Sequence, residues 1–419
     1  MKGRMSGKQK IACVCVLAIA VLTIASGLRN VCTEDVDSAS YRLMAEGRMS
    51  EVVAPYTKRV LNPFFIRAVA SAYTYGYRFL YGSRERGNEE NLQERTSAST
   101  REQAAVAVSV FWLFLALVFF VELLSTRLSC LQILVLGVNP VFALSVFHTW
   151  LPDLPALALL LATLLALDKK RTGIALACLF GAILARDAIL LFAALWMILA
   201  CIGKRKREAF GVLLTSLAAC VTVAWLSKEG QGNIHGVGGV TYMLMKVAAN
   251  GLVNFAGVVV WSNIYSETLS HFYPGAPIWK IALPPFLQFG NIREIGIYSF
   301  HPQKCLSTFI VLIFLFGCLV PISVKRGVSF LRKDRAIQLW HDVRNNRLFF
   351  PVLCALTGTF FLLLTPFVGR TIIRYAGYAW PLFWLCAAPE AERSGVFRKT
   401  WFRVCQLTLP WLALAAVTM

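Results

Sequence analysis

The sequence predicts an all-α fold, a polytopic bundle of about eleven transmembrane helices with amphipathic helices at the interface in its first outer loop, and three observations carry that prediction. Hydrophobic residues fill 57% of the 419 positions and charged residues only 15%, which is not the balance of a water-soluble domain. Apolar runs near spanning length recur along the whole chain. The basic residues between them gather in alternate connections, as cytoplasmic loops do.

The first span is Ile11 to Leu28. It follows the basic segment MKGRMSGKQK, and no small-residue cleavage site of the A-x-A type comes after it, so it reads as an uncleaved span with its N-terminus in the cytoplasm. Later runs lie near 104–124, 129–147, 153–168, 172–186, 188–203, 209–227, 305–323, 348–366, 375–389 and 400–418. Arg127, Lys169 to Arg171, Lys204 to Arg207, the stretch from Lys325 to Arg347 and Arg393 to Arg403 then share the N-terminal side. With the N-terminal segment they hold more than half of the 42 basic residues, so the net charge of +20 is topological and nucleic acid is excluded as a partner.

The same alternation decides an ambiguous segment. Val60 to Gly82 is apolar enough to span, but if it crossed, every later basic loop would face outward. The stretch 30–103 is therefore read as a first outer loop, periplasmic or lumenal, in which Val60 to Gly82 forms one or two amphipathic helices burying an aromatic face beside Arg67 and Arg78. A second outer excursion covers 228–304, and the whole of 1–419 is one transmembrane domain.

The motifs of soluble enzymes are missing. There is no P-loop, no GxGxxG and no repeat of fixed period. Most of the 12 cysteines sit inside apolar runs, where thiols behave as small hydrophobes, and no CxxC occurs. His148, His235, His271 and His301 lack ligand spacing, so no metal site is assigned.

Chemistry must then come from polar groups at membrane depth or at its outer edge, where they are costly to place. Four clusters qualify: Glu34, Asp35 and Asp37 at the mouth of the first span; Asp153 opening a span; Arg186-Asp187 between two short runs; and Arg370 and Arg374, four residues apart. All four fall on the outer side. Together they combine carboxylates, which can take a proton from an incoming hydroxyl, with guanidiniums, which can hold the oxygens of a departing phosphate. Each also has a plain structural reading. Asp153 before Leu-Pro can simply start a helix, Arg186-Asp187 can be a self-neutralising pair in a turn, and Arg370 and Arg374 can snorkel.

Asp37-Ser-Ala-Ser-Tyr41 with Ala45-Glu46-Gly47 resembles the D-x-x-x-Y element after the first span of GT-C superfamily glycosyltransferases, the class of protein O-mannosyltransferases and the lipid A aminoarabinose transferase. PYTKRVLNPFF, which contains Arg59, is similar to the proline-containing interfacial helix that follows it there. The stretch from Asp153 to Leu190 resembles the segment in which an outer Asp opens one span and a Lys or Arg closes the next, and RYAGYAWP resembles a late R-Y…P element. The likeness covers about half of the chain, and its signal is the order and sidedness of the motifs.

The resemblance implies inverting transfer of a sugar, a hexose or a pentose, from a polyprenyl-phosphate carrier to an acceptor hydroxyl on a glycan, lipid or protein at the outer face of the bilayer. It implies Asp37 as the base, Asp153 as a second outer acid, Arg186 near the carrier phosphate, where Lys is also accepted, and Arg374 as a late phosphate contact. Glu34, Tyr41, Arg59, Asp187, Arg370 and Tyr375 would line the substrate site. Family members often carry an acidic pair directly before the Tyr element; here Val36 separates Asp35 from Asp37, which leaves both as candidate bases. Glu34 and Asp35 would orient the acceptor or raise the pKa of Asp37 as neighbouring like charges, and a divalent metal among the three stays open. No N-x-S/T sequon occurs, which favours a bacterial inner membrane over the endoplasmic reticulum. Two other classes remain: a polysaccharide polymerase or ligase, and a secondary transporter or lipid flippase, although inverted repeats are not visible.

Overall fold

The computed structural model describes residues 5–29, 37–52, 58–81, 89–138, 142, 149–228, 258–261, 279–281, 297–300, 349–368, 378–379 and 381–386. Helices dominate. They are α1 (Gly7–Arg29), α2 (Asp37–Glu46), α3 (Leu61–Tyr81), α4 (Glu89–Leu124), α5 (Cys130–Gly137), α6 (Asp153–Asp168), α7 (Thr172–Ala185), α8 (Ile189–Ile202), α9 (Lys206–Leu226) and α10 (Phe349–Val368), with a 3-10 turn at Met49–Glu51. Gly7–Ser26, Ser99–Leu124 and Lys206–Leu226 are long and apolar enough to cross a membrane, while Thr172–Ala185, Ile189–Ile202 and Phe349–Phe361 are shorter apolar helices.

Packing centres on α6, whose near-continuous burial suits a helix that is apolar all round. It lies against α4 and α7, and α9 packs on both α7 and α8. Outer faces of the bundle remain apolar; Trp225 on α9, for instance, is 72% exposed. Exposed rows of this kind on apolar helices suit contact with lipid hydrocarbon, not water.

Local chemistry explains the breaks between helices. Pro155 lies in the first turn of α6, where its missing N–H costs nothing, and Asp153 places a carboxylate at the positive end of the helix dipole. The turns after α6 and α8 are alike. Lys170 (φ 56°) and Lys204 (φ 58°) sit in the left-handed region, and the next residues, Arg171 and Arg205, donate backbone N–H groups to Ala166 and Ala200. After α2 the same turn uses Gly47 (φ 84°), with Arg48 N–H donated to the Leu43 carbonyl. A Cβ at Gly47 would also approach the Arg67 guanidinium to 2.9 Å. Gly47→Ala is therefore expected to destabilise the protein by about 1–2 kcal/mol through backbone strain, read as a lower thermal midpoint in detergent; an unchanged midpoint would remove the tight turn from the account.

Ion pairs mark two ends of the bundle. At one end Glu122 of α4 takes Lys10 of α1 at 2.5 Å and Lys169 after α6 at 3.0 Å. Arg127 pairs with Asp168 at 3.2 Å and lies over the Phe350 ring, and Arg205 lies over Phe349 at the start of the same helix, α10. Lys10, Arg127, Lys169 and Arg205, from four of the basic segments that the sequence places on one side, thus meet at one end; the segments at 325–347 and 393–403 lie outside the described residues. Asp153, Arg186 and Asp187 occupy the other ends of α6, α7 and α8.

Within the apolar run at 129–147 a helix covers Cys130–Gly137, and residues 139–141 and 143–148 lie outside the described residues. Two differences from the sequence reading stand out. α4 begins at Glu89, so the last part of the first outer loop continues directly into a spanning helix. Finally, an antiparallel sheet of order β1-β3-β2, built from β1 (Val258–Trp261), β2 (Trp279–Ile281) and β3 (Ile297–Phe300), adds strands to a chain expected to be all-α. Val258 and Trp279 both register with Phe300, and the β-branched and aromatic content of VVVW and IYSF fits a pleated surface.

Candidate functional site

Two polar groupings form at the end opposite the basic connections. In the first, Asp153 opens α6 and Arg186 is the residue at which α7 stops, its backbone extended at φ −155°. That extension turns the side chain out of the helical row and onto α6, where the guanidinium pairs directly with the Asp153 carboxylate. Tyr378 completes the grouping. Its hydroxyl donates toward Asp153 Oδ1 at 3.0 Å and the Asp153 carbonyl at 3.1 Å, its ring lies 5.5 Å from Arg186 Cζ, and it stacks on Phe361 of α10. Asp153 is 4% exposed and Arg186 1%, so this is a buried pair with charge-assisted and cation–π contacts.

The second grouping faces outward. Asp187 accepts the backbone N–H of Ala188 at 3.1 Å, an interaction that helps start α8, and its Oδ1 lies 3.5 Å from Arg59 Nε. Arg59 in turn donates to the Tyr41 hydroxyl at 3.1 Å. Asp187 leaves 41% of its side chain exposed, whereas Arg59 and Tyr41 are buried. Neighbours in sequence, Arg186 and Asp187 therefore have different partners, and the pair does not neutralise itself.

A layer of hydrogen bonds holds these groups in place. Asn62 of α3, itself buried, donates to the carbonyls of Trp150 and Leu151 at 3.1 Å each, and Ser109 of α4 donates to the Thr149 carbonyl at 2.9 Å. The chain just ahead of Asp153 is thus pinned by both α3 and α4. Trp150 Nε1 donates to Glu102 at 3.2 Å, and Arg42 of α2 bridges Glu102 at 2.9 Å while its guanidinium covers the Trp150 ring. Arg101 reaches Glu46 at 3.3 Å. Helices α2 and α3 of the first loop are tied to the bundle by polar contacts as well as by apolar ones.

Of the residues singled out in the sequence, the structure brings together Tyr41, Arg59 and Asp187 in one grouping, and Asp153 and Arg186 in the other. Asp37 is the first residue of α2. Glu34, Asp35, Arg370, Arg374 and Tyr375 lie outside the described residues. Tyr378 and Asn62 were not singled out. Tyr378 carried a usable signal, since it follows Arg374 by four residues within RYAGYAWP, the spacing at which two side chains share a face of a helix. Asn62, a single amide in an apolar segment, carried none. Among the described residues, no group of three or more His, Cys, Asp or Glu side chains is placed to hold a metal ion.

These features define a helical bundle with three helices long and apolar enough to cross a membrane and a polar grouping at one end. No family model, curated protein or solved structure matches the chain.

Proposed function

We infer that the protein is an inverting glycosyltransferase of the GT-C type, with about eleven spans, that moves a sugar from a polyprenyl-phosphate carrier to an acceptor hydroxyl at the outer membrane face. The observation that carries this reading is the gathering of Tyr41, Arg59 and Asp187 beside the Asp153–Arg186 pair, from three separate chain segments, at the end away from the basic connections. Carboxylates and guanidiniums at one membrane face suit acceptor deprotonation and leaving-phosphate stabilisation.

In this reading Asp37 is the base, near the Tyr41 that shares its helix. Asp187 presents the accessible charge, with the buried Arg59 guanidinium behind it. The Asp153–Arg186 pair, closed and buried, acts as a positioning pair that fixes the α7–α8 turn carrying Asp187; direct contact of Arg186 with a phosphate would require that pair to part. Arg370, Arg374 and Tyr375 complete the phosphate side.

Two measurements test the proposal. Cells lacking the gene should accumulate one lipid-linked sugar, which names the donor; an unchanged lipid-linked pool would count against a transferase. Orientation is tested by cysteine accessibility in a background stripped of native cysteines. A cysteine at Ser83 is expected to react from outside and one at Lys206 only after permeabilisation, and outside labelling at Lys206 would invert the topology on which the reading depends.

A further inference from the structure

The turns after α6 and α8 contain the two residues other than glycine with positive φ among the described residues, and both are lysines. Glycine would adopt that backbone with little strain, whereas a side chain there is strained. The two turns are neighbours. α7 and α9 start from them and pack closely, a Cβ at Gly211 of α9 falling 2.9 Å from Leu176 of α7, one turn inside the bundle.

Charge at this face is unbalanced. Lys169 pairs with Glu122 and Arg205 with Glu208, and Glu208 also accepts the Trp196 indole N–H. Lys170, Arg171, Lys204, Lys206 and Arg207 are exposed and have no carboxylate partner among the described residues. Directly below them the helix surface is apolar and open: Ile174, three residues beyond Arg171, is 51% exposed, and Phe210, three beyond Arg207, is 60% exposed. Cations above an uncovered hydrocarbon-like surface match both parts of an anionic phospholipid, the phosphate head and the acyl chain. A soluble anion would account for the charge but not for the apolar surface beneath it.

We propose that the paired lysine turns at 169–171 and 204–207 form a binding site for an anionic phospholipid, with the lipid phosphate between the two turns and an acyl chain along α7 and α9. The backbone strain at Lys170 and Lys204 is retained because each ammonium contacts the headgroup. This site lies at the end of the bundle away from Asp153 and Arg186 and does not depend on the proposed transfer reaction.

The test uses the full chain in detergent, titrated with cardiolipin and with zwitterionic phosphatidylcholine, with bound lipid counted by native mass spectrometry. Wild type is expected to prefer cardiolipin. Lys170→Gly and Lys204→Gly should each weaken cardiolipin binding about five-fold and together about twenty-five-fold. Because glycine relieves the strained turn, the same variants should unfold at an equal or higher temperature without cardiolipin, which separates loss of the site from loss of folding. Arg48→Ala, at the exposed Arg48–Glu51 pair of the first loop, controls for net charge. Cardiolipin binding that is unchanged in the double glycine variant, or weakened equally by Arg48→Ala, would overturn the site.

Discussion

Asp37→Asn is expected to slow sugar transfer by about 10²–10⁴-fold, the usual cost of removing a general base, while the protein stays folded. Asp37 is the first residue of α2, and Asn keeps its size while removing the charge, so the substitution removes basicity at the cost of only a small helix-dipole contribution. α2 is itself held in place: Arg42 reaches Glu102, Glu46 receives Arg101, and Tyr41 meets Arg59. Donor binding should therefore survive, and the loss should appear in turnover. The parallel variant Asp35→Asn discriminates between the two carboxylates. A large loss there with near-normal turnover in Asp37→Asn would move the base two residues upstream, and full activity in both would remove proton abstraction by this segment from the mechanism.

Sidedness was the most legible property of the sequence. Basic residues in alternate connections predict that Lys10, Arg127, Lys169 and Arg205 share an end, and their pairs with Glu122 and Asp168 and contacts with Phe349 and Phe350 place them there. The same alternation sets Val60 to Gly82 apart from the spans as one or two helices, and a single helix, Leu61–Tyr81, occupies it. Helix starts and stops also followed local rules at Asp153-Leu-Pro155 and Gly47.

Pairing was much less legible. Arg186 and Asp187 are adjacent, and no local rule indicates that one turns to Asp153 on α6 and the other to Arg59 ahead of α3. That outcome depends on α7 ending at an extended residue, which sends consecutive side chains to opposite sides. Tyr378 joins Asp153 across 225 positions, a contact without any periodic signature. The strands between Val258 and Phe300 were missed for a different reason. Each is only three or four residues long, too short for alternation to stand out within an apolar chain.

Arg186→Ala is expected to destabilise the protein by about 3–5 kcal/mol, because it leaves the Asp153 carboxylate buried without its cation. Arg186→Lys should recover only part of this. The resemblance alone implies that lysine is accepted at this position, but an ammonium cannot reproduce the flat guanidinium set against both Asp153 and the Tyr378 ring. Replacing both charges, as in Arg186→Met with Asp153→Leu, should restore most of the stability, since packed apolar groups often substitute for a buried pair and Tyr378 still has the residue-153 carbonyl as an acceptor. Thermal unfolding in detergent, compared across the three variants, measures these differences. Equal midpoints for Arg186→Ala and wild type would show that the pair contributes nothing to the fold. Transfer activity in the double variant then separates its two remaining roles. If the pair only fixes the α7–α8 turn, a stable double variant keeps Asp187 near Arg59 and retains activity; if the pair opens to meet the carrier phosphate, the same stable protein loses turnover, and Arg186 returns to the phosphate side of the mechanism.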